Sequence, residues 1–218
     1  MKTPGFLLVL LAGSLTARAQ QRPAETPRMR LGLKVGLNAA NFTGTGTSST
    51  ADNRRLGPLA GLLANVPLAK RLSLQPEVLY SLKGSKATSV YLAPGSRFPQ
   101  SATVTDALHY LDVPLVLRGQ LGRALVLEGG FQGSWLLSAT NTLESGSVSI
   151  DTDTRGQYEG FDAGYVVGIG ALLQPQLQVG FRYNSSFTNN QTLGSAVYNQ
   201  VLQFQATYLF LLDRPSQY

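Results

Sequence analysis

The single histidine of the 218-residue chain, His109, is the first side chain whose type and neighbours could do chemistry. Asp106 precedes it by three residues and Tyr110 follows it directly. A histidine that is oriented by an acid and lies near a serine can support nucleophilic hydrolysis. The spacing supplies no such serine. We therefore interpret His109 as a polar residue at the rim of the fold, with a catalytic role as the alternative for this residue.

Two carboxylates, Glu77 and Asp112, could act as a general acid and a general base. Charges that pair inside a closed fold explain the same residues, and we favour that interpretation. The sequence shows no metal-ligand cluster, phosphate-binding loop or nucleotide motif, and Gly168-x-Gly170 is typical of a strand rather than of a cofactor fingerprint. We therefore expect no enzyme activity, no cofactor and no metal site.

The N-terminal residues have the pattern of an export signal. Lys2 precedes an apolar run from Phe6 to Ala12, and Ala17-Arg18-Ala19 is a small-x-small cleavage signature. A short membrane anchor is the alternative, but the run is far shorter than the roughly 20 apolar residues of a spanning helix. We expect a signal peptide over 1–19, cleaved near Ala19, and a short linker over 20–29. The chain has no cysteine, so an exported fold must hold without disulfides.

The charge of the processed chain argues against nucleic acid as a partner. Without Lys2 and Arg18 it carries 16 basic and 12 acidic residues, a net charge of about +4, and the basic residues are scattered. Its length suits one domain. No later apolar run approaches the length of a spanning helix, so a membrane crossing would have to use strands.

Apolar and polar side chains alternate with the period of a β-strand in eight stretches. In LSLQPEVLYS, for example, Leu74 and Val78 share one face while Gln75 and Glu77 share the other. Alternation alone does not tell which face points inward, because a soluble fold buries the apolar face and a membrane barrel turns it to lipid. The predicted strands are 30–40, 58–68, 72–81, 108–118, 124–137, 158–173, 176–187 and 197–211.

The connections between these strands alternate in length. Tight turns are expected at Ala69–Arg71, Gly119–Arg123 and Gln174-Pro175. Short turns on one rim and long polar loops on the other are typical of outer-membrane barrels. The four long connections are predicted at 43–57, 84–107, 138–157 and 188–196.

The charged residues on the polar face balance, four positive against four negative. Charges inside a narrow eight-stranded barrel are partly desolvated and need partners, whereas charges facing bulk water do not. The many glycines on that face, four of them in the sixth strand, suit a crowded interior. The alternative is a solvated outer face of a sheet on which the numbers of positive and negative residues are equal by coincidence. The predicted interior network is Lys34, Glu77, Lys83, Asp112, Arg118, Glu128, Asp162 and Arg182.

Aromatic residues on the apolar face fall near the two ends of the strands. Two such bands are expected where rings lie at the two interfaces of a membrane. Near the loop ends are Tyr80, Trp135, Phe161, Phe187 and Tyr198, and near the opposite end are Tyr208 and Phe210.

Three prolines fall inside predicted strands: Pro67, Pro76 and Pro114. A closed barrel has no free edge on which a missing amide donor is harmless. We therefore expect a local bulge or a strand end at each of them.

Three segments resemble a known family: GLKVGLNAANF (32–42), LSLQPEVLYSLKG (72–84) and LHYLDVPLVLRG (108–119). Together with the tyrosine-rich strands near the end, they are similar to the PorT-like outer-membrane β-barrels of Bacteroidetes-type bacteria. The most specific pieces are QPE at 75–77 and YLDVPL at 110–115. The resemblance implies an eight-stranded outer-membrane barrel in a family whose namesake is linked to protein secretion, and it brings no catalytic motif.

These observations lead to one expected architecture. The chain is predicted to be all-β, a transmembrane eight-stranded antiparallel up-and-down β-barrel over 30–212 with a C-terminal tail over 213–218, in the outer membrane of a Gram-negative bacterium. Eight strands enclose an interior just wide enough for side chains, so we expect a porin-like wall without an open pore. The expected partners are outer-membrane lipid and other envelope or secretion proteins. The alternatives are a soluble lipocalin-like carrier, whose apolar face lines a ligand cavity, and a lipid-modifying barrel enzyme.

Overall fold

The computed structural model describes residues 28–44, 54–91, 100–146, 148–189 and 197–210. The expectations for the signal peptide over 1–19, most of the linker over 20–29 and the tail over 213–218 lie outside these residues. Within them, no helix is long and apolar enough to cross a membrane.

Eight of the described strands form a closed antiparallel ring, which confirms the predicted fold class. The ring runs β1-β2-β3-β4-β5-β7-β8-β9 and closes from β9 back to β1, while β6 pairs with β5 outside it. The strands are β1 Arg30–Gly44, β2 Arg55–Ala69, β3 Leu72–Tyr91, β4 Gln100–Leu121, β5 Leu125–Ser145, β6 Val148–Asp153, β7 Phe161–Leu172, β8 Leu177–Ser186 and β9 Val197–Leu209, with a 3₁₀ turn at Arg155–Gln157.

The apolar face of the ring points outward. Leu115 is 50% exposed and Phe181 is 63% exposed, whereas Lys34 and Asp112 are fully buried. This is the reverse of a soluble protein, in which large apolar side chains fill the interior and charged ones are almost never fully buried. The carrier alternative required the apolar face to line a cavity, so this orientation excludes it.

The three tight turns occur where the alternation places them, but the long connections at the other end are partly strand. β3 and β4 continue as a hairpin to Tyr91 and Gln100, and β5 continues to Ser145 and pairs with β6. The predicted loops over 84–107 and 138–157 are therefore wrong in extent. These extensions are rich in Ser and Thr, and the β-branched side chain of Thr favours strands. We call the part of β3–β6 beyond the ring, residues 85–91, 100–106 and 140–153, the tongue.

The prolines behave in two ways. The pairing of β2 with β3 shifts register between Pro67 and Ala69, as expected. At Pro76 and Pro114 the expected bulge or strand end is wrong, because both strands keep their register past these residues. Instead, each ladder of β3 has a gap. The ladder with β2 lacks pairs between Leu63–Glu77 and Val66–Leu74. The ladder with β4 lacks pairs between Pro76–Leu115 and Leu79–Asp112. Omitting a few ladder bonds accommodates proline without bending the wall.

Candidate functional site in the barrel interior

The centre of the barrel holds Glu77 between two cations from distant strands. Lys34 on β1 donates from Nζ to Glu77 Oε1 at 2.6 Å, and Arg182 on β8 makes two parallel bonds of 3.0 Å to the two carboxylate oxygens. β3 and β8 are opposite each other in the ring, so this forked pair spans the lumen. All three side chains are buried, and bidentate arginine–carboxylate geometry is the strong form of such a pair.

Glu128 on β5 continues the network. Arg182 donates from Nη2 to Glu128 Oε2 at 2.7 Å, and Arg118 Nε lies 3.3 Å from Glu128 Oε1. The amides of Gln178 and Gln205 also donate to this carboxylate, at 3.0 and 3.3 Å. We call Lys34, Glu77, Arg118, Glu128 and Arg182 the central cluster; it contains three cations and two anions, so its net charge is +1.

A glycine makes room for this crowding. A Cβ at Gly168 would lie 3.0 Å from the Phe181 carbonyl oxygen and 3.4 Å from Glu128 Oε2. The first distance is tighter than ordinary van der Waals contact, so a larger residue there would press on the wall beside Arg182.

A second ion pair lies nearer the loop end. Lys83 on β3 donates to Asp112 Oδ1 on β4 at 2.8 Å and reaches Ser134 Oγ at 3.3 Å. Its ammonium group also lies 4.6 Å from the centroid of the Tyr110 ring, within the range of a cation–π contact. Lys83 and Asp112 are both buried.

Asp162 is the member of the predicted network that the structure does not place in an ion pair. Its carboxylate accepts from the hydroxyls of Ser186 at 2.6 Å and Thr188 at 2.7 Å and from the amide of Asn199 at 3.1 Å. All its recorded donors are neutral and come from β8, β9 and the residues just after β8. The structure thus brings seven of the eight predicted charges into ion pairs and holds the eighth by hydrogen bonds alone.

Neutral amides are the part of the network that counting charges misses. Gln75 links two charged groups, because its Nε2 donates to Glu77 at 2.7 Å and its Oε1 accepts from Arg118 at 2.8 Å. Asn38 similarly donates to Ser81 at 2.8 Å. These residues lie on the same strand face as the charges, so their positions in the alternation of apolar and polar side chains could have identified them.

An apolar layer lies beyond the charges at the loop end of the interior, and the alternation did not reveal it. Tyr158, in the segment after the 3₁₀ turn, stacks on Phe42 with ring centroids 6.1 Å apart. Burial and the neighbouring Asp106 carboxylate raise the pKa of the Tyr158 hydroxyl. The layer draws on four strands of the ring and consists of Phe42, Leu108, Tyr110, Leu136, Ala139, Tyr158 and Val197.

His109 lies away from any hydrolytic arrangement in the described part of the chain. It is half-buried on the outer side of β4, where the Tyr80 hydroxyl contacts its Nδ1 and the two rings are 5.8 Å apart. Asp106 is on the opposite face and bonds instead to Ser85 at 3.1 Å and Asn141 at 2.7 Å. Tyr110 is fully buried in the interior. The acid and the histidine of the catalytic hypothesis are therefore separated by the barrel wall.

The seven aromatic residues of the predicted girdle are on the outside. All except Tyr198 are at least 40% exposed, and Tyr198 is half-buried. Trp135 and Phe161 pair at 5.1 Å near the loop end, and Tyr208 and Phe210 pair at 5.4 Å near the turn end. Glu77 and Asp112, considered as an acid–base pair, are each bound to cations. No group of three or more His, Cys, Asp or Glu side chains in the described ranges could hold a metal ion.

Comparison with protein families identifies the class of this barrel. The family described as outer membrane protein beta-barrel domain matches residues 18–191, well over half of the chain. The chain belongs to this family. This outer-membrane barrel therefore resides in the outer membrane of a Gram-negative bacterium, where its exposed apolar wall contacts lipid.

Several solved structures are similar to this chain. The attachment invasion locus protein Ail of Yersinia pestis is 13% identical, with a TM-score of 0.47, covering 83% of this chain and 98% of Ail. Neisserial surface protein A is 14% identical, with a TM-score of 0.49, covering 83% and 97%. The outer membrane protease OmpT of Escherichia coli is 10% identical, with a TM-score of 0.41, covering 84% and 93%. No curated protein sequence matches the chain.

Proposed function

We propose that this barrel is a closed, non-enzymatic platform in the outer membrane, whose interior is plugged by paired charges and whose tongue meets other envelope proteins. The observation that carries the proposal is the Arg182–Glu77 fork, which joins opposite strands at the centre of the lumen. A pore would need water along this axis. The fork and the ion pairs around it occupy that space.

Two further layers support closure. The Lys83–Asp112 pair lies on the loop side of the central cluster, and the apolar layer around Phe42 and Tyr158 lies beyond that pair. An ion that crosses the lumen would have to break ion pairs and then enter an apolar layer, and each step costs several kcal/mol. The eight predicted network residues are thus proposed to be structural.

The tongue supports the role in interaction. All six residues of β6 are exposed, and Val148 and Ile150 are among them. Exposed apolar side chains on an edge strand are suited to recognition by another protein. The resemblance to PorT-like proteins favours partners in the envelope, including secretion components.

The absence of catalysis is proposed on the geometry of His109. Its ring faces outward beside Tyr80, and Asp106 is held on the inner face by Ser85 and Asn141. A hydrolase would need the acid and the histidine on one side of the wall.

Solute flux tests closure. Liposomes containing the purified barrel should exclude small sugars, whereas liposomes with an open porin should admit them. The double variant Phe42→Ala/Tyr158→Ala removes two large side chains of the apolar layer but leaves the ion pairs, so it should also exclude sugars. Sugar entry at porin-like rates through the unaltered protein would contradict the plug.

Site-specific photocrosslinking in intact cells tests the platform. A crosslinker at Ile150 on the tongue should capture a specific envelope protein, while one at Leu115 on the lipid-facing wall serves as the matched control. Reciprocal crosslinking from the captured protein back to Ile150 would support the proposal. Capture from Leu115 alone, or from neither position, would contradict it.

A further inference from the structure

The opening of the barrel at the short-turn end is a cavity surrounded by cations. Its volume is about 480 Å³, which is within the usual range of small-molecule sites. The wall includes inward-facing residues such as Asn65 and Ser73 and the three tight turns, so the cavity opens along the barrel axis. We call it the vestibule; its cations are Arg30, Lys70, Arg71, Arg118 and Arg123.

No acidic side chain lines the vestibule among the described residues. In the same ranges, Arg30, Lys70, Arg71 and Arg123 form no ion pair. The fifth cation, Arg118, approaches Glu128, but Glu128 is already bonded to Arg182. Four cations therefore face one space without a carboxylate partner, and the fifth shares Glu128 with Arg182.

Backbone contacts hold several of these cationic segments in place. The Gln120 amide nitrogen donates to the Arg71 carbonyl at 2.8 Å, and the Gln120 side chain donates to the Arg123 carbonyl at 3.2 Å. These two bonds tie the β2–β3 and β4–β5 turns to β4. On the far side of the opening, Arg30 donates to the Pro175 carbonyl at 3.3 Å.

The central cluster behind the vestibule adds to the positive potential. Its net charge of +1 is desolvated, and Arg118 belongs to both the cluster and the vestibule wall. Clefts lined by one sign of charge with low-dielectric walls focus the field and concentrate counter-ions. A bound anion would offset the charge of the vestibule cations and the net positive charge of the central cluster.

We propose that the vestibule binds a phosphate-bearing ligand from the periplasmic side of the membrane. Four of its five cations are arginines, whose planar forks match phosphate oxygens bidentately. The proposal goes beyond the closed platform and does not depend on it, because it concerns the space outside the plug. The phosphate group has two possible sources, a soluble oligophosphate-type anion or the headgroup of an anionic phospholipid in the inner leaflet.

Calorimetry with tripolyphosphate tests the soluble source. In nanodiscs of zwitterionic phosphatidylcholine, the unaltered barrel should bind tripolyphosphate saturably at one site. Arg71→Gln/Arg123→Gln should weaken binding at least tenfold, and Lys86→Gln/Arg155→Gln, which removes two cations at the loop end, should leave it unchanged. Heat-modifiable gel mobility first verifies that all three proteins are folded.

Spin-labelled phosphatidylglycerol in the same nanodiscs tests the lipid source. If the headgroup is the ligand, immobilised label should be present with the unaltered protein and the loop-end variant and should fall in Arg71→Gln/Arg123→Gln. Either this pattern or the tripolyphosphate pattern supports the proposal and names its source. The proposal is overturned if neither probe binds, or if all three proteins bind both probes equally.

Discussion

The two ends of the barrel interior hold their charged side chains in opposite ways. At the turn end, the cations around Arg118 and Arg71 face a shared cavity, and the described residues there provide no carboxylate beyond those of the central cluster. At the loop end, the buried carboxylate of Asp162 is held by two hydroxyls and an amide and lies below the apolar layer. One end is open and positive; the other is dry and holds its negative charge by hydrogen bonds.

This difference shows that the eight network charges sum to zero over the whole interior, although the positive and negative charges are not equal in each part of it. The central cluster has one cation in excess, Lys83 and Asp112 cancel, and Asp162 supplies the missing negative charge at the far end. Hydrogen-bond donors can hold an isolated carboxylate, because hydroxyl and amide groups satisfy its oxygens. Arg118, the cation of the central cluster that lies beside the opening, donates to the Gln75 side chain and shares Glu128 with Arg182.

The largest effect is expected where the network joins opposite walls. Glu77→Gln leaves Lys34 and Arg182 short of a partner, and we expect it to lower the free energy of unfolding by about 3–5 kcal/mol. Chemical denaturation in lipid vesicles measures the change. Glu144→Gln on the exposed tongue is the matched control and should stay within about 0.5 kcal/mol. If both variants have the same free energy of unfolding, the central cluster does not stabilise the barrel.

The second-largest effect is expected from a charge in the lipid-facing wall, for which the tongue provides the comparison. Leu115 and Ile150 are 50% and 53% exposed, but Leu115 lies in the lipid-facing wall and Ile150 beyond the ring. Leu115→Arg should cost about 2–4 kcal/mol near the bilayer midplane. Ile150→Arg should stay within about 0.5 kcal/mol, because the new charge remains in water. Similar costs in the same denaturation assay would place both residues in one environment and contradict this assignment.

Asp162→Asn tests how the loop end holds its negative charge. The variant loses bonds from neutral donors but leaves no cation unpaired, so we expect a cost of about 1–3 kcal/mol, below that of Glu77→Gln. The two variants should be compared in one unfolding series. If Asp162→Asn lowers the free energy of unfolding as much as Glu77→Gln, hydrogen bonds at the loop end and ion pairs in the central cluster do not differ in the way we describe.

The smallest effect concerns the apolar layer and alkaline pH. The pKa of Tyr158 is raised in the folded protein, so its contribution to stability is present below the unfolded-state pKa of about 10 and is lost as pH rises above that value. Unfolding measured between about pH 9 and 11 should show a steeper decline for the unaltered protein than for Tyr158→Phe. Parallel curves would mean that this hydroxyl is not buried in the layer.

Much of the wall could be predicted from the sequence because alternation is a local signal. Leu74 and Val78 mark the outer face of β3 whatever the rest of the chain does, and the tight turns follow from where alternation stops. The tongue could not be predicted in this way. All six residues of β6 are exposed, so the short alternation of Val148 and Ile150 with Ser149 and Asp151 does not separate an inner face from an outer one.

The sequence by itself determined the period of the strands, the sorting of short turns and long loops, and the side of the wall on which each charge lies, since each depends on neighbours a few residues apart. Only the tertiary structure decided which charges meet. Arg182 and Glu77 are 105 positions apart and come together because closing an eight-stranded ring puts β8 opposite β3. The same closure leaves Asp162 without an ion pair among the described residues and gathers five cations around one opening. Pairing of buried charges is a property of distances across the barrel, which no local pattern contains.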